Sequence, residues 1–248
     1  MLRSRGRSSD ACKGDGLNSD EKSQHSRNAL LANGIRRQWP AGSVLVHEGE
    51  LSDHILVIEA GRVKVTSSAS SGKQVLLAIR GPGDLVGELS AIDGGARSAT
   101  ITALSSVTAT VVQGNVFRSL LMNDGKVALS LLRMVVSRLR EADMQRLEYG
   151  AYTVGERIAR LLLDYAGRYG RADDDRVIIA LPLSQTELAH AAGASREAVA
   201  KALKRLRELG AIRTARRRVE LLRPELLAEL AEGLPSVYLD ADAPDRPL

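Results

Sequence analysis

Hydrophobic and polar positions follow three successive rhythms along this chain. Between Ile35 and Val112, short apolar runs recur at Val44–His47, Ile55–Glu59, Arg62–Thr66, Gln74–Arg80, Ala99–Ala103 and Val107–Val112. Turn residues separate them at Pro40-Ala41-Gly42, Glu48-Gly49-Glu50, Ala60-Gly61 and Gly81-Pro82-Gly83-Asp84. Short strands punctuated by glycine predict an antiparallel sandwich or barrel. The interval Gly87–Ala96 breaks the rhythm, being too long for a hairpin turn. The second rhythm is helical, from Lys126 to Tyr149, with Leu132, Val135, Leu139, Ala142, Arg146 and Tyr149 spaced alternately by three and four. Such a heptad-like stripe, roughly 35 Å long at the helical rise, predicts a dimer seam.

The third rhythm begins after Gly150. Thr153–Tyr169 reads as a helix, Arg171–Arg176 as a polar loop and Val177–Leu181 as a strand. Helices over Ser184–Ala191 and Ser195–Leu209 flank Ala192-Gly193-Ala194, and Ala211–Thr214 with Val219–Leu222 form a hairpin. That order is a winged helix. Residues 1–27 lack periodicity and read as a flexible tail. The expected units are therefore this tail, a β-roll over 28–125, a dimerisation helix over 126–149, a winged helix-turn-helix over 150–223, and a C-terminal helix and tail over 224–248. The fold class is α+β.

Composition adds exclusions. Hydrophobic residues make up 44% of the 248 positions, near the globular average. Aromatics are only 3%, so Val, Leu, Ile and Ala must fill the core. No apolar run approaches the ~20 residues of a membrane span, and no signal-peptide pattern opens the chain. With Cys12 alone, neither an internal disulfide nor a cysteine-ligated iron–sulfur cluster is available within one chain. His25, His47, His54 and His190 are too scattered to suggest haem ligation. No catalytic His/Asp/Ser set, metal-ligand spacing or Walker loop appears, so the chain does not read as an enzyme. A cytoplasmic protein is expected, with no membrane partner.

The net charge of +5 becomes informative through its distribution. Between Ser195 and Arg223 ten cations face only Glu197, Glu208 and Glu220, leaving the remainder slightly acidic. In that region Ser184 and Glu187 form a capping-box pattern, Gly193 supplies a tight turn, and Ser195 can cap the next helix. Val199, Leu203 and Leu206 form its buried stripe, leaving Arg196, Glu197, Lys201 and Lys204 outward. Helix-turn-helix proteins insert the start of the second helix into the major groove. Arg196 and Lys201 can donate to guanine O6/N7, and Glu197 can accept from cytosine N4. Arg216, Arg217 and Arg218 on the wing suit phosphates. Double-stranded DNA is the expected partner.

The interval Leu85–Thr100 has the chemistry of an anion pocket. Gly87 permits close backbone approach, and Glu88, Leu89, Ser90 and Ala91 can open a helix whose N–H groups attract phosphate. Arg97 can clamp an anion and Ser98 can add a donor; on sequence alone, Arg97→Ala is expected to abolish ligand response while leaving the fold intact. Glu88 has the wrong sign for phosphate but suits sugar hydroxyls.

Gly87-Glu88-Leu89-Ser90 followed by Arg97-Ser98-Ala99-Thr100 resembles the phosphate-binding cassette of cyclic-nucleotide-binding domains. With the β-roll glycines, the long helix and Ser195-Arg196-Glu197, the chain resembles the cyclic-AMP receptor protein/FNR (Crp/Fnr) regulator family from about Ile35 to Leu222. The resemblance implies a β-roll (jelly-roll) sensor, a dimerisation helix and a winged helix-turn-helix in a homodimeric transcription regulator. It implies Glu88 on the ribose 2′-OH, Arg97 and Ser98 on the cyclic phosphate, Arg138 nearby, and Arg196, Glu197 and Lys201 on bases. Cyclic AMP is the first expected effector, with cyclic GMP or ligand-independent binding as alternatives; no covalent cofactor is expected, and RNA polymerase is a further partner. A regulatory subunit of an enzyme would share the β-roll but lack the winged helix.

Two positions depart from the family pattern. Ala142-Asp143 replaces a Thr-Ser pair that holds adenine, and Lys201 replaces an arginine, keeping charge but losing the planar fork. Asp143 is either an acceptor for adenine or guanine donors, or a solvated carboxylate.

Overall fold

The computed structural model describes residues 15–68, 74–174, 176–215 and 218–232. A helix, α1 (Asp15–Ala32), precedes the first strand. It replaces the expected tail from Asp15 onward, while residues 1–14 lie outside the described residues. Tertiary contact explains the difference. Ser26 and Leu30 are buried, and Leu30 joins an apolar cluster with Ile55, Val57, Leu85 and Phe117. So few apolar residues mark that face that no periodicity registers.

Eight strands then build the roll: β1 (Ile35–Trp39), β2 (Val44–Val46), β3 (Ile55–Ala60), β4 (Val63–Ser68), β5 (Gln74–Arg80), β6 (Leu85–Val86), β7 (Thr100–Ala103) and β8 (Val107–Val112). They form two four-stranded antiparallel sheets, ordered β1-β8-β3-β6 and β2-β7-β4-β5. Val46, Leu56, Ile58, Val63, Ile101 and Val107 are buried in a common cluster. The apolar runs do not mark β1 or β6, because β1 is an exposed edge and β6 has only two residues. Between β6 and β7 lies a short helix, α2 (Glu88–Asp93), which accounts for the interruption of the strand rhythm. A further helix, α3 (Gly114–Asn123), buries Phe117 completely.

The long helix α4 (Gly125–Ala151) starts where Asp124 accepts from the backbone N–H groups of Lys126 and Val127. Its 27 residues extend about 40 Å. Leu129, Leu132, Val136 and Leu139 form an exposed stripe, whereas Val135 and Ala142 are half-buried. The apolar seam is thus rotated slightly from the one the spacing suggests. Tyr149 also departs from it, because its ring packs at the Gly193 turn and its hydroxyl donates to the Ala191 carbonyl at 3.3 Å.

The C-terminal unit begins with α5 (Val154–Tyr169), whose Thr153–Glu156 capping box closes in both directions. The expected polar loop instead contains β9 (Gly170–Asp173), hydrogen-bonded to β10 (Arg176–Ile179). Being an exposed, polar strand, β9 carries no alternation to betray it. Helices α6 (Gln185–Ala191) and α7 (Arg196–Glu208) follow, then β11 (Ile212–Ala215), β12 (Arg218–Leu221) and α8 (Pro224–Ala231). The four strands are ordered β11-β12-β10-β9. Leu227 and Leu230 bury one face of α8.

Strand β5 joins the two units. Leu76 and Ile79 belong to the same apolar cluster as Leu162, Tyr165, Leu188 and Ala191 of the C-terminal unit. Ala78 and Arg80 line the cavity described below. The register slips at Leu77, between the pairs Val65–Ala78 and Thr66–Leu76, and this bulge lets Leu76 and Ile79, three apart, reach the same cluster while Ala78 and Arg80 reach the cavity. Lys64 on β4, opposite Ile79 in the ladder, forms a short ion pair with Glu187 on α6.

Candidate functional site

A cavity of about 200 Å³ lies within the roll. Gly87, Glu88, Leu89, Ser90, Arg97, Ser98 and Arg138 all line it. Seven of the eight expected ligand residues, drawn from three separate parts of the chain, therefore converge. Asp143 does not. It points away from the cavity lining on the exposed side of α4, 3.5 Å from Arg146, with 60% of its side chain exposed.

Gly87 opens the pocket with a positive φ of 83° at the start of α2. A Cβ there would sit 2.7 Å from the Arg97 guanidinium and 3.2 Å from the His54 carbonyl, so any side chain is excluded twice over. Arg97 is only 3% exposed. Its Nε donates to the Ser52 hydroxyl at 2.9 Å; Nη1 donates to the Gly87 carbonyl at 2.8 Å and the Ser90 hydroxyl at 2.7 Å; Nη2 donates to the His54 carbonyl at 2.6 Å. Burial lowers the Arg97 pKa from its ordinary value, opposed by Glu50, Asp53 and Glu88. His54 is likewise pulled down, by burial and then by Arg97. Ser98 stands exposed at the rim.

Glu88 is also buried, at 6% exposure. Its carboxylate accepts from Arg138 Nη1 at 2.6 Å, and Arg138 Nη2 donates to the Leu85 carbonyl at 2.6 Å. One carboxylate oxygen remains for a hydroxyl donor, while the cation on α4 offsets the charge. The result is a pocket with a buried cation at one place and a neutralised carboxylate at another.

The second surface is built on α7. Ser184 and Glu187 close a reciprocal capping box on α6, Gly193 takes a φ of 58°, and the Ser195 hydroxyl accepts from the Ala198 N–H at 3.1 Å. Val199, Leu203 and Leu206 are buried, while Arg196, Glu197, Lys201 and Lys204 are exposed on the other face. A hydrogen bond from its own backbone N–H, then one from Ser195, holds the Glu197 pKa low.

The wing is less simple. Arg216 and Arg217 lie outside the described residues. Arg218 reaches back to Glu220 at 2.7 Å, and Arg213 and Arg176 approach the same carboxylate at 3.5 and 3.8 Å. Glu220 is only 7% exposed, a buried anion that anchors three arginines of the sheet. In the sequence it counts only as one of three acidic residues among ten cations, with little to mark it as buried. The one available signal was a lone acidic residue at an alternating strand position after Arg216-Arg217-Arg218.

Comparison with known proteins agrees with this geometry. Residues 36–124 match the cyclic nucleotide-binding domain and residues 156–230 the Crp-like helix-turn-helix domain. The chain is 34% identical to the CRP-like cAMP-activated global transcriptional regulator of Mycobacterium tuberculosis, over 78% of this chain and 86% of that protein. It is 32% identical to the cyclic AMP receptor protein of Thermus thermophilus, over 80% and 89% respectively. Among solved structures, FixK2 from Bradyrhizobium japonicum superposes with a TM-score of 0.70 at 24% identity, covering 79% of this chain and 96% of that one. The regulator TTHB099 from T. thermophilus gives 0.68 at 26% identity, with the same coverages. No helix among the described residues is long and apolar enough to cross a membrane. A roll with a cyclic nucleotide-binding domain, a long helix and a Crp-like DNA reader in this order make the chain a member of the Crp/Fnr family of DNA-binding transcription regulators.

Proposed function

We propose that this protein is a homodimeric, cytoplasmic transcription regulator whose DNA affinity is set by a cyclic nucleotide, cyclic AMP first and cyclic GMP as the alternative. The carrying observation is the cavity in which a buried Arg97 and the Glu88–Arg138 pair converge, one strand away from the core of the DNA-reading unit. Glu88 takes the ribose 2′-OH, and Arg97 and Ser98 take the cyclic phosphate. A guanidinium has five N–H groups. The four bonds of Arg97 to the protein leave one N–H for phosphate, beside the exposed Ser98 hydroxyl. Cyclic AMP is placed first because the relatives from M. tuberculosis and T. thermophilus carry it in their names. The case for a guanine partner at Asp143 is weaker, since that carboxylate is turned toward Arg146 outside the cavity.

The exposed Leu129, Leu132, Val136 and Leu139 stripe supports pairing of two copies along α4. A two-fold dimer presents two α7 helices to half-sites about one helical turn apart. Arg196, Glu197 and Lys201 read bases, while Ser195 and Lys204, with the wing residues Arg216, Arg217 and Arg218, hold the backbone. Ligand shifts the population toward the arrangement in which both helices fit. RNA polymerase is the partner for such a dimer once on DNA. Calorimetry with each nucleotide, paired with DNA binding measured with and without it, tests the reading. Saturable binding that changes DNA affinity is expected; binding of neither nucleotide, or binding without effect on DNA, overturns it.

A further inference from the structure

Arg80 ends β5, the strand that faces the cavity on one side and the DNA-reading unit on the other. Its side chain is 12% exposed and lines the cavity beside Leu77 and Ala78. The cavity's other charged groups are tightly held, Glu88 and Arg138 by each other and Arg97 by four acceptors. Arg80 has a looser partner. Its Nη1 lies 3.7 Å from Glu141 Oε2 on α4. The other oxygen of Glu141 lies 3.6 Å from Arg168 Nη2 on α5, and Arg168 Nε donates to Asp164 at 2.7 Å. Charges thus run from the cavity wall, through the long helix, to the first helix of the DNA-reading unit.

With phosphate assigned to Arg97 and Ser98 and ribose to Glu88, the base is left to apolar side chains such as Val46, Val65 and Ile101, and to Arg80. A guanidinium donates to acceptors. A purine offers N7 in both adenine and guanine, and guanine adds O6 beside it, matching the planar fork. We infer that Arg80 is the base-facing residue of the effector site, and that it binds the purine by giving up Glu141. The freed Glu141 then rests on Arg168 alone, so base occupancy is felt at α5. This rests on the cyclic-nucleotide reading above and names the residue that reads the base within it.

The test is calorimetry of the full chain with cyclic AMP and cyclic GMP, on wild type, Arg80→Leu and Glu141→Gln. Arg80→Leu should weaken cyclic GMP about tenfold, the worth of a charge-assisted hydrogen bond, and cyclic AMP less. Glu141→Gln removes the competitor and should tighten both nucleotides by about threefold. An ion pair that merely joins the two units predicts shifts in the same direction for both variants. That result, or unchanged affinity in Arg80→Leu, overturns the inference. Should Arg80→Leu fail to fold, Glu141→Gln at its 40% exposed position decides alone: tighter binding supports the inference, and equal or weaker binding overturns it. If wild type binds neither nucleotide, the effector reading itself has failed and this inference falls with it. Wild-type binding with no opposite shift between variants removes only the role of Arg80.

Discussion

Arg97 and Arg196 are the same residue type put to opposite uses. Arg97 is buried, with its guanidinium on two backbone carbonyls and two hydroxyls of the roll. Arg196 stands exposed at the first position of α7, beyond a serine cap that would hold the helix without it. The cavity is therefore part of the roll's own hydrogen-bond network, whereas the DNA face is laid over a helix whose stability comes from Val199, Leu203 and Leu206 beneath. A buried charge is costly to leave unpaired, and so are the acceptors it satisfied. An exposed charge can be removed at little structural expense. With the proposed roles, binding and folding are entangled at the first site and separable at the second.

The largest expected effect tests that entanglement. Arg97→Ala should destabilise the roll by about 3 kcal/mol, by stripping partners from Gly87, His54, Ser52 and Ser90. Chemical denaturation without ligand measures this. It corrects the expectation, reasonable from sequence alone, that the fold would stay intact, and a stability equal to wild type would erase the contrast between the two regions. Next comes Arg196→Ala, which should cost about 1–3 kcal/mol of DNA binding at one base pair with the melting temperature unchanged. Equal loss on all DNA sequences would move Arg196 from base to phosphate.

Smaller again is the effect of Ser195→Ala, which removes the α7 cap and should lower stability by about 1 kcal/mol. The smallest effect sits where the regions meet. Burial alone would raise the Glu187 pKa, but Lys64 and the N–H and hydroxyl of Ser184 outweigh it and hold the carboxyl below its ordinary 4.5. A lowered folded value means that this stabilisation is present above pH 4.5 and lost as pH falls through the folded pKa. Melting curves of wild type should fall more steeply below about pH 4.5 than those of Glu187→Gln, by under ~1 kcal/mol for a partly exposed pair. Parallel curves would remove Lys64–Glu187 as a link between roll and reader.

The features that could be read in advance share a short range. The Ser184–Glu187 box, the Ser195 cap and the positive φ of Gly193 each involve residues within a few positions of one another. The burial of Val199, Leu203 and Leu206 follows from helical spacing in the same way. Convergence of Gly87–Ser90 with Arg97 and Arg138 was legible only through family resemblance, because no local rule brings α4 to the cassette. Helix α1 leaves no local trace because its burial depends on a distant partner, Phe117, and strand β9 leaves none because it is an exposed, polar strand.

By itself the sequence determined the two-part plan, the capped helix after the Gly193 turn and the outward cations along it. These follow from periodicity, capping and turn chemistry, which act along the chain. Only the tertiary structure decided that Arg97 is sequestered, that Asp143 faces Arg146 rather than the cavity, that Tyr149 meets Gly193, and that β5 carries Arg80 on one face and Ile79 on the other. Which groups share a low-dielectric interior depends on how elements distant in sequence pack, and such packing leaves little trace in any one segment.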